Sequence, residues 1–120
     1  MALRPDRDCI SLFKYANVRP VHHDELAQVE AIFRALAHSV RLAIVARLRG
    51  GEQCVHELVE YLGLPQPLVS QHLRTLRTAG VVRARRSGTE MHYSLADAHI
   101  GQIVGDAIDH VREKGAPPAK

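Results

Sequence analysis

The sequence predicts a mainly α fold with a β-hairpin wing, a homodimeric winged helix-turn-helix, and three patterns carry that expectation. Four successive segments place apolar residues at helical spacing, and the last three end at glycine signals. Two short strand-like runs then flank Ser87-Gly88-Thr89, a hairpin signal. A final helical stretch combines an apolar seam, two glycines and four metal-type side chains.

The elements follow in order. Residues 1–22 read as an irregular N-terminal arm, given some apolar character by Ile10, Phe13 and Tyr15. Asp24 is expected to cap a first helix whose stripe is Leu26, Val29, Phe33 and Leu36. Ser39 is expected to cap a second, carrying Leu42, Ile44, Val45 and Leu48 and stopped at Gly50-Gly51. A short third helix runs from about Cys54 to Leu62 and ends at Gly63. Pro67 suits the first position of a fourth helix, with Val69, Leu73 and Leu76 inward and Gly80 closing it. Residues 81–86 and 90–95 form the hairpin, a helix follows from Asp97, and residues 115–120 are a frayed tail. Residues 23–114 are thus the expected winged helix-turn-helix DNA-binding and dimerisation domain.

Composition narrows the function. A chain of 120 residues without Trp and with 4% aromatic residues has a modest core, which burial in a dimer would supplement. The net charge of +3 and a pI near 9.2 suit a nucleic-acid partner. No apolar run approaches the roughly 20 residues that span a bilayer. The segment Met1 to Asp8 lacks a signal-peptide core, so the expected location is cytoplasmic. Two cysteines in a reducing compartment read as thiols or ligands before they read as a disulfide.

The last helix carries Asp97, His99, His110 and Glu113. His99 and His110 lie about three turns apart, on nearly the same side, and roughly 16 Å apart along the axis. A metal holds each imidazole nitrogen at about 2 Å, so one copy of the helix cannot close the site. Two antiparallel copies can. A two-fold axis pairs positions at a constant sum, and His99 with His110 and Asp97 with Glu113 nearly share one. The expectation is a homodimer with two symmetric sites, each built from Asp97 and His99 of one chain and His110 and Glu113 of the other. Ile100, Ile103, Val104, Ala107 and Val111 supply a seam for the partner helix. Gly101 and Gly105, near the crossing, are read as allowing close backbone approach.

The fourth helix presents Ser70, Gln71, Arg74, Thr75 and Thr78 opposite its core face, with Arg77 beside them. Side chains near its N-terminus enter the major groove most deeply, so Gln66, Ser70, Gln71 and Arg74 are placed nearest the bases. His72, at the edge of the core face, reads as structural. Arg83, Arg85 and Arg86 lead into the hairpin tip as phosphate or minor-groove contacts. Arg41, Arg47 and Arg49 read as ordinary surface charge.

These motifs resemble the ArsR/SmtB metal-sensing repressors over nearly all of residues 25–113. The resemblance rests on Leu36-Ala37-His38-Ser39-Val40-Arg41-Leu42, Cys54-Val55-His56-Glu57-Leu58 and Val69-Ser70-Gln71-His72-Leu73-Arg74-Thr75-Leu76, and continues through Ala79-Gly80-Val81-Val82 and Arg86-Ser87-Gly88 to Asp97-x-His99 and His110-x-x-Glu113. The last pair is similar to the interhelical zinc site of the SmtB branch. The resemblance implies an apo dimer on double-stranded, palindromic operator DNA that metal releases. Zn(II) suits four tetrahedral N/O donors, with Co(II) or Ni(II) as alternatives.

Family members that sense cadmium and arsenic carry Cys-Val-Cys where this chain has Cys54-Val55-His56, followed by Glu57. A second ligand set of Cys9, Cys54, His56 and Glu57 is therefore a candidate, with His22 and His23 beside it; a thiol-based redox or soft-metal response through Cys9 and Cys54 is the alternative. An enzyme is the rival class. Two acids and two imidazoles fill a tetrahedron, however, and no nucleophile motif or glycine-rich phosphate loop is present, so no catalytic residue is assigned.

Overall fold

The computed structural model describes residues 20–115. The arm residues Cys9, Ile10, Phe13 and Tyr15 and the last five residues lie outside them. The elements are α1 (His23–Leu36), α2 (Ser39–Leu48), β1 (Gln53–Cys54), α3 (Val55–Leu62), α4 (Gln66–Thr78), β2 (Val82–Ser87), β3 (Glu90–Leu95) and α5 (Ala98–Glu113). The chain divides into two compact units between Arg34 and Ala35.

In the first unit the helix begins at His23, and Asp24 lies inside its first turn rather than ahead of it. The carboxylate of Glu25 reaches back to accept the His22 N–H at 3.0 Å, satisfying a donor that has no partner within the helix. Arg34 pairs with Glu30 one turn earlier, at 2.9 Å.

The second unit is a winged helix-turn-helix. Ile44 and Val45 of α2, Leu58 of α3, Val69, Leu73 and Leu76 of α4, and Val81 are fully buried together as its core. The α4 residues recur at steps of three and four, so one face of that helix is fixed inward and the other is presented to solvent. Gly63 ends α3 and Gly80 follows α4, both at positive φ (68° and 79°), a left-handed conformation that costs glycine little. The Val81 N–H then donates to the Leu76 carbonyl and the Ala96 N–H to the Val81 carbonyl, both at 2.9 Å, fastening the wing to the end of α4.

Several local expectations change. The second helix is capped by His38, not Ser39: His38 is extended, and its Nδ1 accepts the Val40 N–H at 3.1 Å. Imidazole supplies the acceptor usually given by a hydroxyl. The fourth helix starts at Gln66, with Pro65 as cap and Pro67 one position further in. The hairpin is one residue out of the expected register, with Ser87 paired to Glu90 around a two-residue Gly88-Thr89 turn. The sheet also has a third strand. Its order is β1-β3-β2, with Gln53 opposite Tyr93 and Cys54 opposite His92. Two residues carry no periodicity, which hid β1 in the sequence.

The final helix divides its apolar residues. Ile100 and Val104 are buried in the chain's own core, whereas Ile103 and Val111 are 40% and 52% exposed. Gly101 and Gly105 have a reason within the chain. A Cβ at Gly105 would stand 2.5 Å from the Arg49 Cζ, and one at Gly101 would meet Leu95 Cδ1 at 3.1 Å and Arg49 Cγ at 3.3 Å. Arg49 therefore lies along the glycine face and is not ordinary surface charge.

Among the described residues no helix is long and apolar enough to cross a membrane. Because Leu73 is fully buried, Leu73→Ala should lower the unfolding free energy by about 2–5 kcal/mol. Urea denaturation at fixed chain concentration measures this, and a loss below about 1 kcal/mol would mean that the core closes over the gap.

Candidate nucleic-acid interface and metal centres

The turn between α3 and α4 sets the candidate nucleic-acid face. Gln66, Gln71, Arg74, Thr75, Arg77 and Thr78 are exposed on α4, and Ser70 is half-buried beside them. The Thr75 hydroxyl donates to the Gln71 carbonyl at 3.3 Å, so it is partly engaged by its own helix. Gln71 and Arg74 keep free polar ends on the exposed side.

His72 is buried, as expected, and holds this helix in place. Its ring lies 4.6 Å from that of His38, and Arg41 Nη1 stands 3.2 Å from its Nδ1. Arg41 also donates from Nε to the Ala35 carbonyl, so it joins the start of α2 to α4. Arg47 packs over the Tyr61 ring, 4.6 Å from its centroid. Both arginines were expected to be plain surface charge, and both instead tie helices together. His72 lies 31 residues from Arg41 and Tyr61 lies 14 from Arg47, beyond what local spacing reveals.

On the wing, Arg83, Arg85 and Arg86 are exposed. They are not equivalent. Arg85 donates to Glu52 twice, from Nε at 3.1 Å and from Nη2 at 2.6 Å. That hydrogen bond holds the Glu52 carboxyl below the ordinary carboxylate range and raises Arg85. Both groups are well exposed, so the pair is a local tether rather than a large source of stability. Glu52 was not foreseen as a neighbour of this face.

The α5 donors sit at the two ends of the helix. Asp97 is the cap, its Oδ1 accepting the N–H groups of His99 at 2.9 Å and Ile100 at 3.3 Å. His99 Nδ1 lies 3.5 Å from the same oxygen, so these two donors already converge, and the His99 side chain is 91% exposed. His110 and Glu113 are exposed near the other end. One chain does not bring the two pairs together, in keeping with the axial separation that the sequence requires. A shallow apolar groove of about 330 Å³ lies along the C-terminal half of α5, lined by Leu42, Val104, Ala107, Ile108, Val111 and Arg112.

Cys54, His56 and Glu57 are also resolved into distinct roles. Cys54 is the buried N-cap of α3. Glu57 Oε1 accepts the Cys54 backbone N–H at 2.8 Å, half of a capping box. This backbone bond, then the Cys54 side chain, holds Glu57 below the ordinary carboxylate range. Glu90 takes its place beside the other two: ligand atoms of Cys54, His56 and Glu90 lie within 4.8 Å of one another. Among the described residues this is the one group of three or more such side chains that is close enough to share an ion.

Comparison with known proteins places the chain by family and fold. The family model for the arsR family of bacterial regulatory proteins matches residues 38–84. The chain is 57% identical over 82 residues to the transcriptional repressor SmtB of Mycobacterium tuberculosis, covering 68% of this chain and 61% of that protein. It thus spans about three fifths of that relative's length. To the transcriptional regulator KmtR of the same species it is 41% identical over 96 residues, covering 80% of this chain and 74% of the relative. Among solved structures it is similar to a homodimeric winged helix-turn-helix DNA-binding domain from Mycobacterium bovis, at a TM-score of 0.69, 26% identity, and coverage of 98% and 94%. The fold and these matches define a winged helix-turn-helix domain. The chain belongs to the ArsR family.

Burial is the first cause that pushes the His72 pKa below its ordinary value of 6.5, followed by the charges of His38 and Arg41. The unfolded chain then binds more protons at this site as pH falls through 6.5. Stability should therefore rise with pH below about 6.5 and level off above it. In His72→Gln the slope of unfolding free energy against pH should be shallower over that window. Equal slopes in both proteins would assign the dependence to other groups.

Proposed function

We propose that the protein is a metal-responsive transcriptional repressor: an apo homodimer binds a palindromic operator, and Zn(II) bridging the two α5 helices releases it. The observation that carries this reading is the arrangement of α5, with a donor pair at each end that one chain cannot close. The exposed Ile103 and Val111 and the adjoining groove support a second copy as the missing half. The names of the relatives, SmtB repressor and KmtR regulator, support the regulatory role.

Each ion would be held by Asp97 and His99 with His110 and Glu113 of the partner subunit. When bound, it supplies a cross-link between protomers. Two oxygen and two nitrogen donors make a closed tetrahedral set that favours zinc, with Co(II) or Ni(II) as alternatives. His99 would offer a ring nitrogen to the ion, while Asp97 orients it and terminates the helix. On the DNA side, Gln66, Ser70, Gln71 and Arg74 reach base edges; Thr75 and Arg77 flank them. Arg83, Arg85 and Arg86 meet the backbone through the wing.

Mixing His99→Ala chains with His110→Ala chains tests the bridging. Both lesions fall in one composite site of the heterodimer, leaving the other whole, so each heterodimer should regain one of its two zinc sites. If the mixture binds no zinc, or a monomer binds it tightly, the bridging site is wrong.

DNA binding separates reading from positioning. Gln71→Ala should lose about 1–3 kcal/mol of discrimination while keeping binding to random DNA. Arg85→Ala should weaken binding to every sequence and lower the salt slope by about one. Because Glu52 tethers Arg85, Glu52→Gln should strengthen binding to all sequences. Unchanged affinity in Glu52→Gln would mean that Arg85 does not contact phosphate.

A further inference from the structure

We infer that Cys54, His56 and Glu90 form a second divalent-cation site, one that fastens the wing to the N-terminal end of α3. It is separate from the α5 donors and does not depend on the sensor reading.

Three features of the chain assemble it. Cys54 caps α3 and His56 follows two positions later, so both side chains belong to the first turn. The β1–β3 pairing sets Cys54 opposite His92. Glu90 precedes His92 by two residues on β3, and side chains two apart share a face of a strand. The antiparallel register therefore brings Glu90 to the capping turn across 34 residues of sequence. The outcome is a thiol, an imidazole and a carboxylate from two elements, all within 4.8 Å.

The distances suit an ion after small side-chain adjustments. Around a tetrahedral ion with bonds of about 2.0–2.3 Å, neighbouring donor atoms stand roughly 3.3–3.8 Å apart. His56 Nδ1 and Glu90 Oε2 are already 3.8 Å apart. His56 and Glu90 are solvent-accessible, with side chains 66% and 44% exposed, and Cys54 is buried beneath. Ion entry thus needs no opening of the core. The surroundings also support the ligands. His92 Nε2 lies 3.9 Å from the other Glu90 oxygen, a place from which it can orient the carboxylate. Glu57, engaged by the Cys54 backbone N–H, keeps the turn formed without joining the donors.

The donor set selects the cation class. One sulfur, one nitrogen and one oxygen favour a borderline ion such as Zn(II) or Co(II) over Mg(II) or Ca(II), which take oxygen ligands. Coordination replaces the thiol proton, which leaves to solvent, so binding strengthens as pH rises. The fourth position is left to water.

Cobalt titration of the reduced, full-length His99→Ala/His110→Ala dimer tests the assignment, because the α5 donors include no sulfur. That protein should still develop a near-ultraviolet thiolate-to-cobalt band, and Cys54→Ser should abolish it while keeping a good helix cap. Glu90→Gln and His56→Ala should each weaken cobalt binding at least as much as the about 10- to 100-fold that losing an outer-shell partner costs. Cys9→Ser should leave the band and the affinity unchanged. The assignment is overturned if no band forms, if Glu90→Gln binds cobalt as its parent does, or if Cys9→Ser removes the band.

Discussion

Burial of one face of α4 is the constraint on which the rest depends. Val69, Leu73 and Leu76 are fully enclosed with Ile44, Val45, Leu58 and Val81. At 3.6 residues per turn, fixing those three leaves Gln71, Arg74 and the outer hydroxyls no direction but outward. The same packing places His72 against His38 and Arg41, so the helix is held by a polar clamp at its edge as well as by its apolar stripe. The base-reading role proposed for α4 needs such rigidity, because base contacts discriminate only when donors and acceptors are set before binding.

The wing is controlled by a different force, the backbone pairing of β3 with both of its neighbours. That pairing brings a row of alternating acids and bases together: Arg85 on Glu52, His92 between Glu52 and Glu90, and Glu90 beside His56. Each of these contacts is weak at an exposed surface. Together they decide which wing arginine is tethered and which are free, and so divide the wing's positive charge into unequal parts.

Arg49 shows that a close approach to helix glycines can also come from within the chain. Two glycines in one helix do require a near neighbour, since each costs about 1 kcal/mol against alanine. The neighbour along Gly101 and Gly105 is the long stem and head of Arg49 from the same chain. Long cationic side chains often lie along apolar or glycine surfaces in this way. Ile103 and Val111 remain exposed on the same helix, and they are the residues that still call for a partner.

The sequence alone determined the helices, the hairpin and the outward face of α4, because each rests on a short period or on a glycine at a helix end. Gly63 and Gly80 are the plainest cases, both left-handed in the structure. The placement of Asp97 and His99 at one end of α5 and of His110 and Glu113 near the other was legible for the same reason: a single helix converts spacing directly into direction and distance. Tertiary structure decided what spacing cannot encode. The two-residue β1 strand has no period, yet it brings Glu90 to Cys54 and His56 and leaves Glu57 as a cap. Arg41, Arg47, Arg49 and Arg85 look alike in the sequence, and only packing gave each a different partner. Local pattern fixes the direction of a side chain along its own element; which distant group it meets follows from how the elements pack.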